Sequence, residues 1–273
     1  MRSILLRTHG AVAELSLNRP DRLNVLDGAM YQELRTALSA ALADPDVNAI
    51  LLSGQGDNFC AGFDLGSSDD SAVSDPVWTQ WEKMEATGEL EAAFRYAAKP
   101  VVCAVQGHCL GGGFELANSC DFIVAATDAK FCEPEVRFSL VAPPRLMYFV
   151  PIRQAKEILL LGENFGAEYA ERIGLVNRVT SPQSLAEDSL AFAQRLADLP
   201  PETVRHTKSL MARALEIQGI RAVESMVTSE FLISKMTETA DRVRFRELRE
   251  NAGLREALAW IRNKGSRGEG ASA

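Results

Sequence analysis

The run Val101-Val-Cys-Ala-Val105, opened by Pro100 and followed by Gln106-Gly-His-Cys-Leu-Gly-Gly-Gly-Phe-Glu115, does most to constrain the fold. An unbroken apolar run offers no face to water, so a strand there must be covered on both sides. The glycines then end it in a tight turn, with a helix beginning near Gly113. Ile50-Leu51-Leu52 and residues 122–125 repeat the buried-strand pattern. Residues 11–17 add a strand with Ala13, Leu15 and Leu17 on one side, ending at the turn Asn18-Arg-Pro20. Asp27 predicts an N-cap for a helix with Met30, Leu34, Leu38 and Leu42 at i+4 spacing, stopping at Asp44-Pro45. A further helical stretch runs to about Lys99. Short buried strands alternating with helices imply parallel strands joined by crossovers, an α/β core.

Past about residue 150 the strand signals fade. Ser181-Pro182 predicts an N-cap followed by proline at the first helical position, with Leu185, Phe192, Leu196 and Leu199 as the apolar stripe. Val223, Met226, Val227 and Phe231 mark another helix face. The expected organisation is an α/β core over 1–200, a helical region over 201–264 and a disordered tail over 265–273. The Ser- and Asp-rich stretch 66–75 is expected to be a surface loop. A composition 47% hydrophobic and 24% charged suits such a globular chain of 273 residues.

A net charge of −8 gives no general attraction to nucleic acid or to an anionic membrane surface. An anionic ligand must be met by local positive charge or by backbone N–H groups. No apolar run approaches the ~20 residues of a membrane span, and the one at the N-terminus is too short for a signal peptide. The cysteines (Cys60, Cys103, Cys109, Cys120 and Cys132) are odd in number and include no C-x-x-C pair. Reduced, mostly packed thiols in a cytoplasmic-type compartment are therefore expected.

Three features stand where strands end: Cys60-Ala-Gly-Phe-Asp64, Gly111-Gly-Gly-Phe-Glu115 and Glu133-Pro-Glu135. Two glycine-flanked N–H groups converging on one oxygen would form an oxyanion hole. No complete G-x-G-x-x-G, P-loop or G-x-S-x-G elbow is present, and His9, His108 and His206 lack metal-ligand spacing. His108, in the glycine turn, is expected to be packed and hydrogen-bonded.

Taken together, Asn18-Arg-Pro20, Leu23-Asn24, Phe59-Cys-Ala-Gly-Phe-Asp64, Lys99-Pro-Val101, Gly107 to Glu115, Cys120-Asp121, Phe131-Cys-Glu-Pro-Glu135 and Gly174-Leu-Val176 resemble the crotonase (enoyl-CoA hydratase/isomerase) superfamily, in its order and spacing. The resemblance implies a crotonase-like spiral of ββα units with a C-terminal helical trimerisation region, assembled as a homotrimer or as a hexamer of paired trimers. It implies an acyl-CoA substrate and no separate cofactor or metal, CoA being part of the substrate. It assigns the oxyanion hole to the N–H groups of Phe63 and Gly112. Glu115 would activate the water that attacks C3, and Glu135 would exchange the proton at C2. Arg22, Leu23, Asn24, Ala61, Gly62, Asp64 and Gly111 would line the CoA and acyl groove. Hydration needs both proton-transfer groups, so retention of both glutamates favours an enoyl-CoA hydratase.

One segment departs from the family pattern. Where hydratases usually carry a glycine-rich stretch after the second glutamate, this chain reads Val136-Arg-Phe-Ser-Leu-Val-Ala-Pro143-Pro144-Arg-Leu. The prolines stiffen it, and Pro143 stands where dienoyl-CoA isomerases and aryl dehalogenases use an aspartate. Residues 242–249 are arginine-rich where a Glu-Gly pair and a Lys-Arg element are common. The alternatives are a Δ3-Δ2 enoyl-CoA isomerase, a hydratase of branched or aryl enoyl-CoA, and a non-catalytic acyl-CoA-binding subunit.

Overall fold

The computed structural model describes residues 3–65 and 76–264, so the stretch 66–75 and the tail 265–273 lie outside the described residues. Among the described residues the chain builds two sheets. The larger is six-stranded and runs β1 (Ile4–His9), β2 (Val12–Leu17), β3 (Ala49–Gly54), β4 (Val101–Val105), β6 (Phe122–Ala126) and β9 (Arg178–Thr180). The smaller joins β5 (His108–Leu110), β7 (Lys130–Cys132) and β8 (Phe165–Gly166). From β2 to β9 the large sheet is parallel, and β1 closes its edge antiparallel to β2, with Ile4 opposite Leu17. After β4 the chain passes straight into β5, and after β6 into β7. Each pass therefore visits the large sheet, then the small one, before the chain returns. This is the expected spiral of ββα units.

The unbroken apolar runs are explained by two dry faces. Leu15, Leu52, Cys103 and Val105 point into the main core, where α1 (Gly28–Ala43) packs through Met30, Leu34 and Leu38. Their neighbours Val12, Leu51, Val102 and Ala104 point the other way, against Leu185, Ala193 and Ala197 of α6 (Leu185–Ala197). Each buried leucine contributes about 1.5–3 kcal/mol. A Leu52→Ala change, leaving a cavity between the layers, costs about 2–5 kcal/mol. Asp27 caps α1 as expected, accepting the Met30 N–H at 2.9 Å.

Several boundaries differ from expectation. Strand β9 joins the sheet edge although Arg178-Val-Thr180 carries no apolar run; its partner β6 supplies the pairing. Ser181 does not cap α6. Its hydroxyl accepts the Ser184 N–H at 3.2 Å within a turn, and the helix starts only at Leu185. Leu199 lies past the helix end and is exposed. Helix α2 (Val77–Arg95) stops short of Lys99, whose ammonium instead donates to the carbonyls of Ala41 and Asp44 (2.9 and 2.6 Å) at the end of α1. A cation there complements the unpaired carbonyls of a helix C-terminus.

The later helices are α7 (Pro201–Ile217), α8 (Ile220–Met236), α9 (Ala240–Ala252) and α10 (Leu254–Lys264). The buried stripe of α8 is Ile220, Val227 and Leu232, with Met226 exposed, so its inner face is rotated from the expected one. None of the described helices is long and apolar enough to cross a membrane.

Candidate active site

The two glycine segments lie side by side. Cys60 N–H donates to the His108 carbonyl (2.9 Å) and Leu110 N–H to the Cys60 carbonyl (3.0 Å), a parallel bridge that pairs Cys60 with Cys109. Phe63 and Gly112 each stand three residues beyond that bridge, so the shared register carries them forward together. The approach is close: a side-chain carbon on Gly112 would fall 2.9 Å from the Phe63 ring, and one on Gly113 would fall 2.6 Å from the Cys60 carbonyl. Only glycine permits that contact.

On its other flank this segment is pinned by Leu26, whose N–H donates to Gly62 O (2.8 Å) and whose carbonyl accepts the Asp64 N–H (3.0 Å). That pattern turns the intervening Phe63 N–H away from Leu26. Gly112 opens α3 (Gly112–Asn118), where N–H groups have no acceptor in the helix. Among the described residues neither the Phe63 nor the Gly112 N–H has a partner. Two such donors suit an oxygen on which negative charge develops.

The carboxyls arrive from two elements. Glu115 stands in the first turn of α3, and Glu135 opens a 3-10 turn just after β7. A side-chain carbon on Gly111 would lie 3.0 Å from Glu135 Oε1, so this carboxyl rests against the backbone one residue ahead of Gly112. Behind Glu115 lies a cation. Arg145 places Nη1 2.5 Å from Glu91 Oε2 and 3.2 Å from Glu115 Oε1, with Nε 3.7 Å from Glu224 of α8. Arg95 pairs with Glu224 and donates to the Ser119 hydroxyl (3.1 Å), which donates to the Glu115 carbonyl (2.9 Å). Glu91, Glu133 and Glu135 are only 1%, 2% and 8% exposed. A cavity of about 10 Å³ is lined by Glu115, Glu133, Asn118 and Arg145, with Phe114, Pro143, Leu146 and Leu159. A wider depression of about 420 Å³ lies elsewhere, around Asp57, His108 and Lys130.

Burial first, then the charge of Glu91, pushes the Glu115 carboxyl well above the ordinary value of 4.5, with Arg145 pulling against them. Burial likewise raises Glu133 strongly, reinforced by Glu135 and Glu115. Glu135 is raised by burial and lowered in part by its hydrogen bond with Glu133. Burial opposes the charge of Arg145, but Glu91, Glu115 and Glu224 outweigh it and the guanidinium stays a cation. Buried carboxyls in contact cannot all ionise, so the cluster holds protons that water would remove.

The remaining expected residues brace the Ala61–Asp64 stretch. Asp64 is buried and held by Arg22 (2.9 Å) and Arg19 (3.7 Å). Leu23, in the left-handed region and half-exposed, accepts the Ala61 N–H at 3.0 Å. The Asn24 amide is fully buried: it accepts the Arg19 N–H (2.8 Å) and donates to the Gln55 and Asn58 carbonyls (3.0 and 2.8 Å). His108 departs from expectation. Its Nδ1 is buried with no partner among the described residues, and the turn is held by its backbone N–H on Asn58 Oδ1 instead.

Glu91, Arg145 and Glu224 were not anticipated. Arg145 directly follows the two prolines that replace the family's glycine-rich stretch, which is the one local signal of a changed wall.

The family model for enoyl-CoA hydratase/isomerase matches residues 7–251. The chain belongs to that family. A probable enoyl-CoA hydratase of Rhizobium meliloti is 34% identical over 86% of this chain and 92% of its own length. A mevalonyl-coenzyme A hydratase of Aspergillus fumigatus is 31% identical over 81% of this chain and 82% of its own. Among solved structures, an enoyl-CoA hydratase/isomerase from Xanthobacter autotrophicus Py2 superposes with a TM-score of 0.90 at 37% identity, covering 96% of this chain and 98% of that one. Family membership links the chain to acyl-CoA chemistry and leaves hydration and isomerisation both within its range.

Proposed function

We propose that the chain is an enoyl-CoA hydratase that adds water across the 2,3 double bond of a trans-2-enoyl-CoA. The observation that carries this reading is the presence of two carboxyls, buried Glu135 and mostly buried Glu115, beside the turn that holds the free Gly112 N–H. The thioester oxygen accepts from Phe63 and Gly112. Glu115 takes a proton from water as its oxygen bonds to C3, the double-bond electrons shift onto the thioester as an enolate, and Glu135 delivers a proton to C2. Neither step calls for a cofactor or metal.

The contact of Glu115 with Arg145 favours one second reading, a Δ3-Δ2 isomerase in which Glu135 alone shuttles a proton. Loss of the conjugated-thioester absorbance on mixing with short and medium enoyl-CoA thioesters separates the two. Hydration is expected, with both Glu115→Gln and Glu135→Gln falling by about 10²–10⁴-fold while acyl-CoA binding survives. Activity that persists in Glu115→Gln favours the isomerase. Binding without turnover of either kind in the unaltered protein favours a non-catalytic subunit.

A homotrimer, or a hexamer made of two trimers, forms part of the proposal. Leu210, Met211, Ile217, Met226, Ile233 and Met236 on α7 and α8 are exposed and apolar, as a surface awaiting other copies would be. The five free cysteines support a reducing, cytoplasmic-type setting.

A further inference from the structure

Glu115 is held at both ends by one ring of side chains, and the far side of that ring lies outside the α/β core. Its carboxyl meets Arg145 (Oε1 to Nη1, 3.2 Å), and Arg145 directs Nε toward Glu224 Oε1 of α8 (3.7 Å). The same Glu224 oxygen pairs with Arg95 Nη1. Arg95 Nη2 donates to the Ser119 hydroxyl (3.1 Å), and that hydroxyl donates to the backbone carbonyl of Glu115 (2.9 Å). The ring thus leaves Glu115 by its side chain and returns through its own helix. Little of it reaches water: the side chains of Arg95, Arg145 and Glu224 are 6%, 11% and 17% exposed.

Glu224 is the member that closes the ring. Two guanidinium groups converge on its one oxygen, and like charges stay together in a poorly hydrated place only with a counter-charge between them. Helix α8 also grips the segment that presents Arg145. The Ser234 hydroxyl accepts the Val141 N–H at 3.2 Å, just ahead of the two prolines that open the 3-10 turn Pro144–Tyr148. Proline fixes φ, so the seat of α8 passes to Arg145 with little slack.

We propose that Glu224 is a positioning residue for the water-activating base: by fixing Arg145 and Arg95 it sets the direction of the Glu115 carboxyl, and the C-terminal helical region thereby completes the active site. The inference rests on the hydratase reading and deepens it. Arg145 takes Oε1 of Glu115, which leaves Oε2 as the oxygen that accepts the proton of the attacking water. A carboxyl free to turn would offer that oxygen in the right direction only part of the time.

Glu224→Gln removes the charge and keeps the shape. In the hydration assay kcat is expected to fall by about 10–10²-fold, the scale of a misplacement of about 1 Å, with KM little changed. Solvent exchange at C2 of a saturated acyl-CoA, which calls on Glu135 and not on Glu115, is expected to persist. In a Glu115→Gln background the same change is expected to have almost no further effect, because the group it positions is already gone. Loss of exchange in step with hydration, an unchanged kcat, or a full further loss in the Glu115→Gln background overturns the inference. Arg145→Lys is the second variant, since one ammonium cannot span Glu91, Glu115 and Glu224 as a guanidinium does. The same split between hydration and exchange is expected of it. Failure of the unaltered protein to hydrate any enoyl-CoA would instead strike the hydratase reading. The ring is then decided by unfolding midpoints in denaturant: Glu224→Gln and Arg145→Met are expected to be non-additive, and additive midpoints overturn it.

Discussion

Glu115 and Glu135 are the same residue type, both largely withdrawn from water, and each has a second glutamate beside it. They differ in what stands behind. Glu115 and Glu91 share the guanidinium of Arg145, itself flanked by Glu224 and Arg95. The ion pairs of the described residues include none to Glu133 or Glu135. Burial pushes both sides toward the un-ionised form, and Arg145 opposes it in direct contact on the first side but only as the weakest influence on Glu133 of the second. Identical side chains can thus be set to opposite tasks by one charge in the shell around them.

The comparison can be broken most forcefully at its cation. Arg145→Met leaves Glu91 and Glu115 buried without their counter-charge, a loss of about 3–5 kcal/mol measurable by denaturant unfolding. It also removes the influence that favours ionised Glu115. The acid limb of the hydration rate should then move to higher pH, because the base form is harder to reach. An unmoved limb would mean that Arg145 does not govern Glu115.

The pH dependence of stability separates the pairs more gently. Glu133 keeps in the folded state a proton that the unfolded chain releases near its ordinary value of 4.5. Its contribution is full below that value and is lost as pH rises through the elevated one. Glu133→Gln should therefore flatten the fall in stability with rising pH, as read from unfolding midpoints across pH.

Asn24→Ala is a neutral control. It strips three partly buried backbone groups of their partner and should cost about 1–3 kcal/mol with no pH dependence between neutral and mildly alkaline conditions. The smallest effect is expected at Arg22, whose guanidinium is half-exposed on Asp64. Arg22→Ala should change stability by less than about 1 kcal/mol, and the change should shrink in high salt.

Much of this was legible in the sequence, for identifiable reasons. Strands covered on both faces write themselves as unbroken apolar runs, so Val101–Val105 and its neighbours stood out, and the glycines at 111–113 marked a close backbone approach. Glu115 and Glu135 came from resemblance; no local physics singles them out. The surrounding charges were hidden because their partners are distant in sequence. Glu91 and Arg95 stand four apart on α2, yet both are buried and each is turned to a partner on another element. Strand β9 escaped for a related reason: Arg178-Val-Thr180 pairs with β6 through its backbone, and backbone pairing leaves no mark on side-chain pattern.

The most direct test of two carboxyls acting on one alkene is a single turnover in water labelled in both oxygen and hydrogen. A hydratase of this design yields 3-hydroxyacyl-CoA carrying solvent oxygen at C3 and solvent hydrogen at C2 in the same molecule. Solvent hydrogen on the acyl chain without solvent oxygen at C3 would contradict it, and would leave Glu135 as the sole proton carrier of an isomerase.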